Sequence, residues 1–299
     1  MPIFAIENFL IIMPKKLPFL IIFSLIIFLV FSCGNGKNNK DVTTTHGTSS
    51  ASTNDTRKID GLTQSKYNKL ISNIPIPFDI LRTHAEVPLI YNASVLNPTS
   101  NLPFYSSNLS KALNLGIYGG DLAYSITYEK FDDMGSYLKC AKKLADDLGI
   151  PLAFDQHALS TYKEFGTNKD SLERIIFSSY SEVDKTLKSN ERIGLASLVV
   201  SGGWLEGLYT TLKTFESTPQ KDKSKTLRNK IVEQKTHLYM ILNLLGQFKD
   251  DQTYSPILEE FSSIKAIYDG LSVKSEINET AISALTKKVE EVRGKIVAR

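Results

Sequence analysis

The sequence lacks the patterns that mark the common enzyme and metal-binding classes. No G-x-S-x-G, H-E-x-x-H, P-loop or G-x-G-x-x-G motif occurs. The chain has four histidines; three of them, His84, His157 and His237, lie too far apart to show metal-ligand spacing. The net charge is only +3, without a clustered stripe of lysine or arginine, which argues against a nucleic-acid partner. We therefore expect no metal, no cofactor and no nucleic acid.

Sustained strand alternation is also missing, and few turns carry hairpin sequences. Apolar residues instead recur at intervals of three and four, the spacing of amphipathic helices. The clearest helical segments are Phe131–Leu148, a segment opening at Asp170, Ile193–Phe215, Leu227–Phe248, Ser255–Leu271 and Ile277–Val297. The sequence predicts an all-α fold, a single helical bundle of about seven or eight helices over residues 58–299. A proline-rich loop at Val87–Tyr105 is expected to be ordered, because it contains enough apolar residues to pack on the bundle.

The N-terminus has the layout of a secretory signal peptide, with a basic start, an apolar middle and a small residue at the cut. Lys15 and Lys16 precede the apolar run Leu17–Phe31, which is slightly short for a transmembrane helix of roughly 20 residues. Residues 1–32 are therefore predicted to be the signal peptide. A chain that starts at Met13 carries a compact, complete signal, and we predict Met13 as the true start. The alternative is an unusually long signal with a hydrophobic prelude.

The signal ends in a motif that predicts a lipid anchor. Val30–Cys33 resembles the lipobox of bacterial lipoproteins, in which the cysteine is lipidated and becomes the first residue. Lipidation of Cys33 leaves Cys140 as the single thiol, so no internal disulfide can form. Residues 33–57 carry almost no apolar side chains after the cysteine, and we predict that they form a flexible tether.

The segment Lys111–Glu129 places an acidic residue among aromatic ones. On a helix, Asp121, Tyr124 and Tyr128 fall on one stripe, and a buried carboxylate is costly unless it has partners. One interpretation is structural: Asp121 accepts hydrogen bonds from a loop amide or a tyrosine hydroxyl and fixes the proline-rich loop to the bundle. The other is functional, with Asp121, Tyr118, Tyr124 and Tyr128 as the wall of a small-molecule pocket. We favour the structural interpretation, since buried polar groups usually have partners.

A second unusual segment, Ser201–Lys213, lies in the most apolar of the predicted helices. It contains Trp204, the only tryptophan, and Glu206, which interrupts the apolar run. Glu206 either belongs to a solvent-facing stripe with Gly203, Thr210 and Lys213 or is a carboxylate inside a pocket.

These segments resemble a family of uncharacterised lipoproteins from Bacteroidota. The likeness rests on "NLGIYGGDLAY", a form of the segment N-L-G-I-Y-G-x-D-L-x-Y, on the upstream "LNP" at Leu96–Pro98 and on the later "GGWLEGLY". It covers most of Ile74–Tyr209. The resemblance implies an envelope lipoprotein but no activity, cofactor or partner. Surface-exposed lipoproteins of this kind tend to carry acids just after the cysteine, and none precedes Asp41 here, so we predict the periplasm-facing side of the outer membrane.

Two functions remain open at this point. The first is a non-catalytic envelope lipoprotein that binds a protein partner or a small ligand in the periplasm and contacts the membrane through its anchor. The second is an envelope hydrolase that uses Asp121 and Glu206 as a carboxylate pair. Two carboxylates near one bond and facing an open cleft favour the hydrolase, whereas an Asp121 sealed under tyrosines favours a scaffold.

Overall fold

The computed structural model describes residues 61–81, 90–150, 192–219, 225–271 and 277–298, with six isolated positions between 174 and 186. Over these ranges the chain forms eight α-helices and two short 3-10 helices, and none of the described residues is in a β-strand. The predicted all-α bundle is therefore confirmed. The signal peptide, Cys33 and the tether lie outside the described residues. So does most of the helix predicted to open at Asp170, although the backbone is helical at the six isolated positions.

The first two helices are α1, Gly61–Ser72, and α2, Pro77–Leu81. They are separated by a short segment that contains Pro75, and Pro77 opens α2, where a missing backbone N–H removes no helical hydrogen bond. Ile80 and Leu81 are completely buried, because α2 packs on two later helices, Asn108–Thr127 and Ile193–Ser217.

The proline-rich loop is ordered by two 3-10 helices, Ala93–Val95 and Thr99–Phe104. Leu96 is buried in the core, and Tyr91 and Leu102 are partly buried against it, as expected for a loop that packs on the bundle. Ile90 is 70% exposed and does not take part in this packing. Its neighbour Leu89 lies outside the described residues.

Two helices follow the loop, α3 at Asn108–Thr127 and α4 at Phe131–Asp147. The side chain of Ser107 caps α3 by accepting a hydrogen bond from the backbone N–H of Ser110. The chain leaves α4 through Gly149 at φ +64°, a left-handed conformation that favours glycine and that ends helices.

The centre of the bundle is α5, Ile193–Ser217, which packs most extensively on α3. Glycines bring the two backbones into contact. A Cβ atom on Gly116 would lie 2.0 Å from the carbonyl oxygen of Val199, and one on Gly202 would lie 2.0 Å from that of Leu113. No side chain fits at either position without moving a helix, so these glycines set the distance between α3 and α5.

Three more helices complete the bundle: α6 at Lys225–Gly246, α7 at Ser255–Asp269 and α8 at Glu279–Val297. Asn278 caps α8 by accepting a hydrogen bond from the backbone N–H of Ala281. The helix α8 packs on α5 and α7, and its C-terminal end reaches α3 and the proline-rich loop. None of the described helices is long and apolar enough to cross a membrane.

Candidate functional site

A buried polar cluster lies where α3, α5 and α8 meet beneath the proline-rich loop. Asp121 on α3 and Glu206 on α5 are both completely buried. They are neighbours because the helices touch: a Cβ atom on Gly120 would lie 2.7 Å from Cβ of Glu206. The solvent-facing interpretation of Glu206 is wrong, since Gly203 and Thr210, members of the same stripe, are buried as well.

Arg293 on α8 completes the cluster. Its Nε donates to Oε2 of Glu206 at 2.5 Å and its Nη2 donates to Oε1 at 2.8 Å, the paired geometry of a strong guanidinium–carboxylate bond. The guanidinium carbon also lies 4.2 Å from the ring centroid of Tyr209, a cation–π distance. Sequence reasoning missed Arg293. One feature of the sequence indicates that Arg293 is buried: it lies four residues after Val289 and three before Ile296, on the apolar stripe of α8.

Asp121 differs from Glu206 in its hydrogen bonding. Its Oδ2 accepts a hydrogen bond from the backbone N–H of Asn97 at 3.3 Å, while Oδ1 accepts none from the described residues. Burial raises the pKa of Asp121 well above its ordinary value, the Glu206 carboxylate raises it further, and Arg293 opposes both. Burial and the neighbouring carboxylate therefore both favour the protonated form of Asp121.

The same cluster ties the loop to the C-terminal end of α8, whose last carbonyl groups have no partner within the helix. Asn101 donates to the carbonyl oxygen of Val297 at 3.2 Å, and Asn114 donates to that of Ile296 at 3.2 Å. Asn97 donates through Nδ2 to the Asn114 side-chain oxygen at 3.4 Å. The expectation that Asp121 fixes the loop to the bundle is confirmed, because its bond to Asn97 is part of this network.

The three tyrosines predicted to form a pocket wall, Tyr118, Tyr124 and Tyr128, lie between the proline-rich loop and the helices. Tyr118 donates through its hydroxyl to the Pro98 carbonyl oxygen at 3.1 Å, and the Tyr124 hydroxyl accepts the backbone N–H of Asn92 at 3.2 Å. The rings of Tyr124 and Tyr128 are 4.7 Å apart. Each of the first two tyrosines holds a loop backbone group and is completely buried, so neither lines an open pocket.

Trp204 lies apart from the Asp121 cluster, although it is only two residues from Glu206. It is completely buried, and its Nε1 donates to Oε1 of Gln234 on α6 at 3.1 Å. Trp204 therefore connects α5 to α6, where the described residues form a groove.

The groove has a volume of about 670 Å³ and lies between the α1–α2 connection, α5 and α6. Its walls are mainly aliphatic or proline residues: Ile71, Ile74, Pro75, Ile76, Pro77, Val183, Ala196, Val199 and Val200. Its polar groups include Lys230, Glu233 and His237 on α6 and Asp79 on α2. An apolar concavity of this size with a few polar groups is the usual form of a small-molecule site. Neither carboxylate of the buried cluster lines it.

His237 is a titratable residue of the groove, and a hydrogen-bond contact defines the orientation of its ring. Its Nδ1 lies 3.1 Å from Oε1 of Gln234, the same oxygen that accepts the Trp204 hydrogen bond. Burial lowers the pKa of His237, with Glu233 opposing and Lys230 adding to the shift. In the described part of the chain, no cluster of three or more histidine, cysteine or acidic side chains could hold a metal ion.

Comparisons with protein-family models, with curated proteins and with solved structures found no match for this chain. The resemblance to Bacteroidota lipoproteins therefore stays a prediction, and the functional interpretation depends on the geometry of the groove and of the buried cluster.

Proposed function

We propose that this protein is a lipid-anchored protein of the bacterial cell envelope that binds a small ligand without transforming it. The observation that carries the proposal is the groove of about 670 Å³ between the α1–α2 connection, α5 and α6, with apolar walls and a few polar groups. The anchor is inferred from the lipobox-like sequence that ends at Cys33. The absence of acids between Cys33 and Asp41 supports the periplasm-facing side of the outer membrane.

The buried cluster supports a scaffold better than a hydrolase. Paired carboxylates that act on a bond need access to substrate, but Asp121 and Glu206 have no exposed surface. Glu206 is bound through both of its oxygens to Arg293. The groove, by contrast, is concave and of the size that suits a small molecule better than a folded partner.

Solvent extraction of the purified protein tests the proposal. Full-length protein is isolated from the envelope and its bound small molecules are identified by mass spectrometry. The variant Val200→Phe fills the groove, and Val232→Phe is the matched control, since Val232 is 42% exposed on α6 and does not line the groove. We expect one compound class from the wild type and the control, and its loss from Val200→Phe.

Identical extracts from all three proteins would contradict ligand binding in the groove. A protein that copurifies with the wild type and is lost with Val200→Phe would show a macromolecular occupant. Metabolic labelling with a radioactive fatty acid tests the anchor separately, because label on Cys33→Ala equal to that on the wild type would exclude lipidation at Cys33.

A further inference from the structure

Both the nitrogen and the oxygen of the Gln234 side-chain amide have hydrogen-bond partners. It is only 1% exposed. Its Nε2 donates to the carbonyl oxygen of Lys230 at 3.1 Å, so Oε1 is the atom that receives the N–H of Trp204. A side-chain amide whose nitrogen and oxygen both have partners of the right kind has one assignable orientation. Gln234 therefore presents an acceptor to His237.

This acceptor determines the tautomer of His237. Since Oε1 of Gln234 can only accept, Nδ1 of His237 must carry the hydrogen in their 3.1 Å contact. Burial disfavours the charged imidazolium. In the neutral ring Nε2 is then a hydrogen-bond acceptor, and the described residues provide no donor to it. The only tryptophan and a buried glutamine thus hold one histidine as an acceptor at an apolar groove.

The charges of the described lining residues disfavour an anionic head group. Among the described lining residues Lys230 is the one lysine or arginine, and it pairs with Glu233 at 3.0 Å. Asp79 adds a further negative charge. A carboxylate or phosphate would therefore meet an acceptor nitrogen and an excess of acid. A neutral group that donates a hydrogen bond is the complement of this site.

We propose that the groove selects a neutral amphipathic molecule, with a hydrophobic body along the isoleucine and valine walls and a hydroxyl group that donates to Nε2 of His237. This inference rests on the proposed function. Within it, His237 determines specificity, and Gln234 and Trp204 are positioning residues that act through His237.

The test compares two probes of nearly the same shape, para-pentylphenol and para-pentylanisole, which lacks the hydroxyl donor. Binding is measured by titration calorimetry on the full-length lipidated protein in phosphatidylcholine vesicles, with empty vesicles as the blank. We expect the wild type to bind the phenol about 2- to 12-fold more tightly, the equilibrium equivalent of one net hydrogen bond. His237→Leu should bind both probes equally. The control Tyr239→Phe, on the same helix and outside the groove, should keep the wild-type preference.

Trp204 supplies a second readout, because it is the only tryptophan in the chain. Its emission should change when the phenol hydrogen bonds to His237, and this response should be lost in Val200→Phe. The emission change should also be lost in His237→Leu. If His237 did not contact the hydroxyl group, replacing it would leave the emission change intact.

Three other results would contradict the inference, and each would give a different reason. If both probes bind the wild type equally and both are lost in Val200→Phe, the groove binds ligands but His237 does not select a donor. If para-pentylbenzoate binds more tightly than the phenol, the site takes anions. If no probe gives heat above the blank, the hydroxyl inference is overturned, and the solvent extraction alone decides whether the groove has an occupant.

Discussion

Removing the guanidinium of Arg293 is the sharpest perturbation of the buried cluster. In Arg293→Met, Glu206 loses the partner of both its oxygens, bound at 2.5 and 2.8 Å, and it has no exposed surface through which water could replace them. Methionine keeps an unbranched apolar stem beside Tyr209, so packing changes less than charge. The variant therefore measures mainly the cost of a buried carboxylate left without its counter-charge.

The expected loss is large. Breaking a buried ion pair from one side costs about 3–5 kcal/mol, and each kcal/mol lowers the melting temperature of a domain near this size by about 2–4 °C. Arg293→Met should therefore lower the melting temperature by roughly 6–20 °C. Removing both partners together should cost far less, because apolar residues of similar volume often replace a buried pair without loss. The variant Glu206→Met/Arg293→Met should recover most of the stability.

Urea and thermal unfolding of the full-length protein measure both effects. Lys295→Met is the matched control on α8: its ammonium lies 2.8 Å from Glu260, but the side chain is 51% exposed, so its loss should change the midpoint little. Two results would refute the reasoning. One is a loss below about 1 kcal/mol in Arg293→Met, far under the cost of a broken buried pair. The other is a double variant less stable than the single one.

Three further predictions follow from the cluster, the helix crossing and the anchor. Because burial raises the pKa of Asp121 above its ordinary value of 3.8, the native state holds a proton that the unfolded chain releases, and stability falls as the pH rises above about 4. Asp121→Asn should therefore gain stability relative to the wild type as the pH rises above about 4 in urea unfolding; a difference that does not change with pH would contradict this. Gly202→Ala should destabilise by at least about 1–3 kcal/mol, whereas Gly294→Ala, where a Cβ meets nothing within 4 Å, should stabilise by about 0.5–1 kcal/mol in thermal unfolding. When the cell envelope is fractionated, Cys33→Ala should no longer appear in the outer-membrane fraction. A variant that stays in this fraction to the same extent as the wild type would refute the lipid anchor.

The helices could be predicted because their signal is local. Each buries an apolar stripe, and the three-four spacing of that stripe is visible in the sequence. The segment predicted as Leu227–Phe248 forms Lys225–Gly246, and the one predicted to end at Leu271 ends at Asp269. Helix ends shift by a residue or two because capping, and not the stripe, decides them.

The candidate site was only partly predictable, because its contacts join distant positions. Asp121 was expected to be buried and bonded to a loop amide, since a carboxylate among apolar residues requires partners. Nothing near Glu206 indicates that Arg293, 87 residues later, supplies its counter-charge. The groove is a product of packing alone: Pro77, Val200 and His237 come from three helices, and no spacing in the sequence links them.

The buried pair and the groove depend on the same helix. A buried ion pair adds little net stability over apolar residues, but it can be satisfied in one arrangement only, since Glu206 reaches Arg293 at a single register of α5 against α8. The residues Val199, Val200 and Gly203 of α5 form one wall of the groove. We therefore expect Glu206→Met/Arg293→Met to recover most of the melting temperature lost in Arg293→Met, while the amide hydrogens of α5 exchange faster than in the wild type. Unchanged exchange along α5 would show that the glycine crossing with α3 fixes the groove wall without the ion pair.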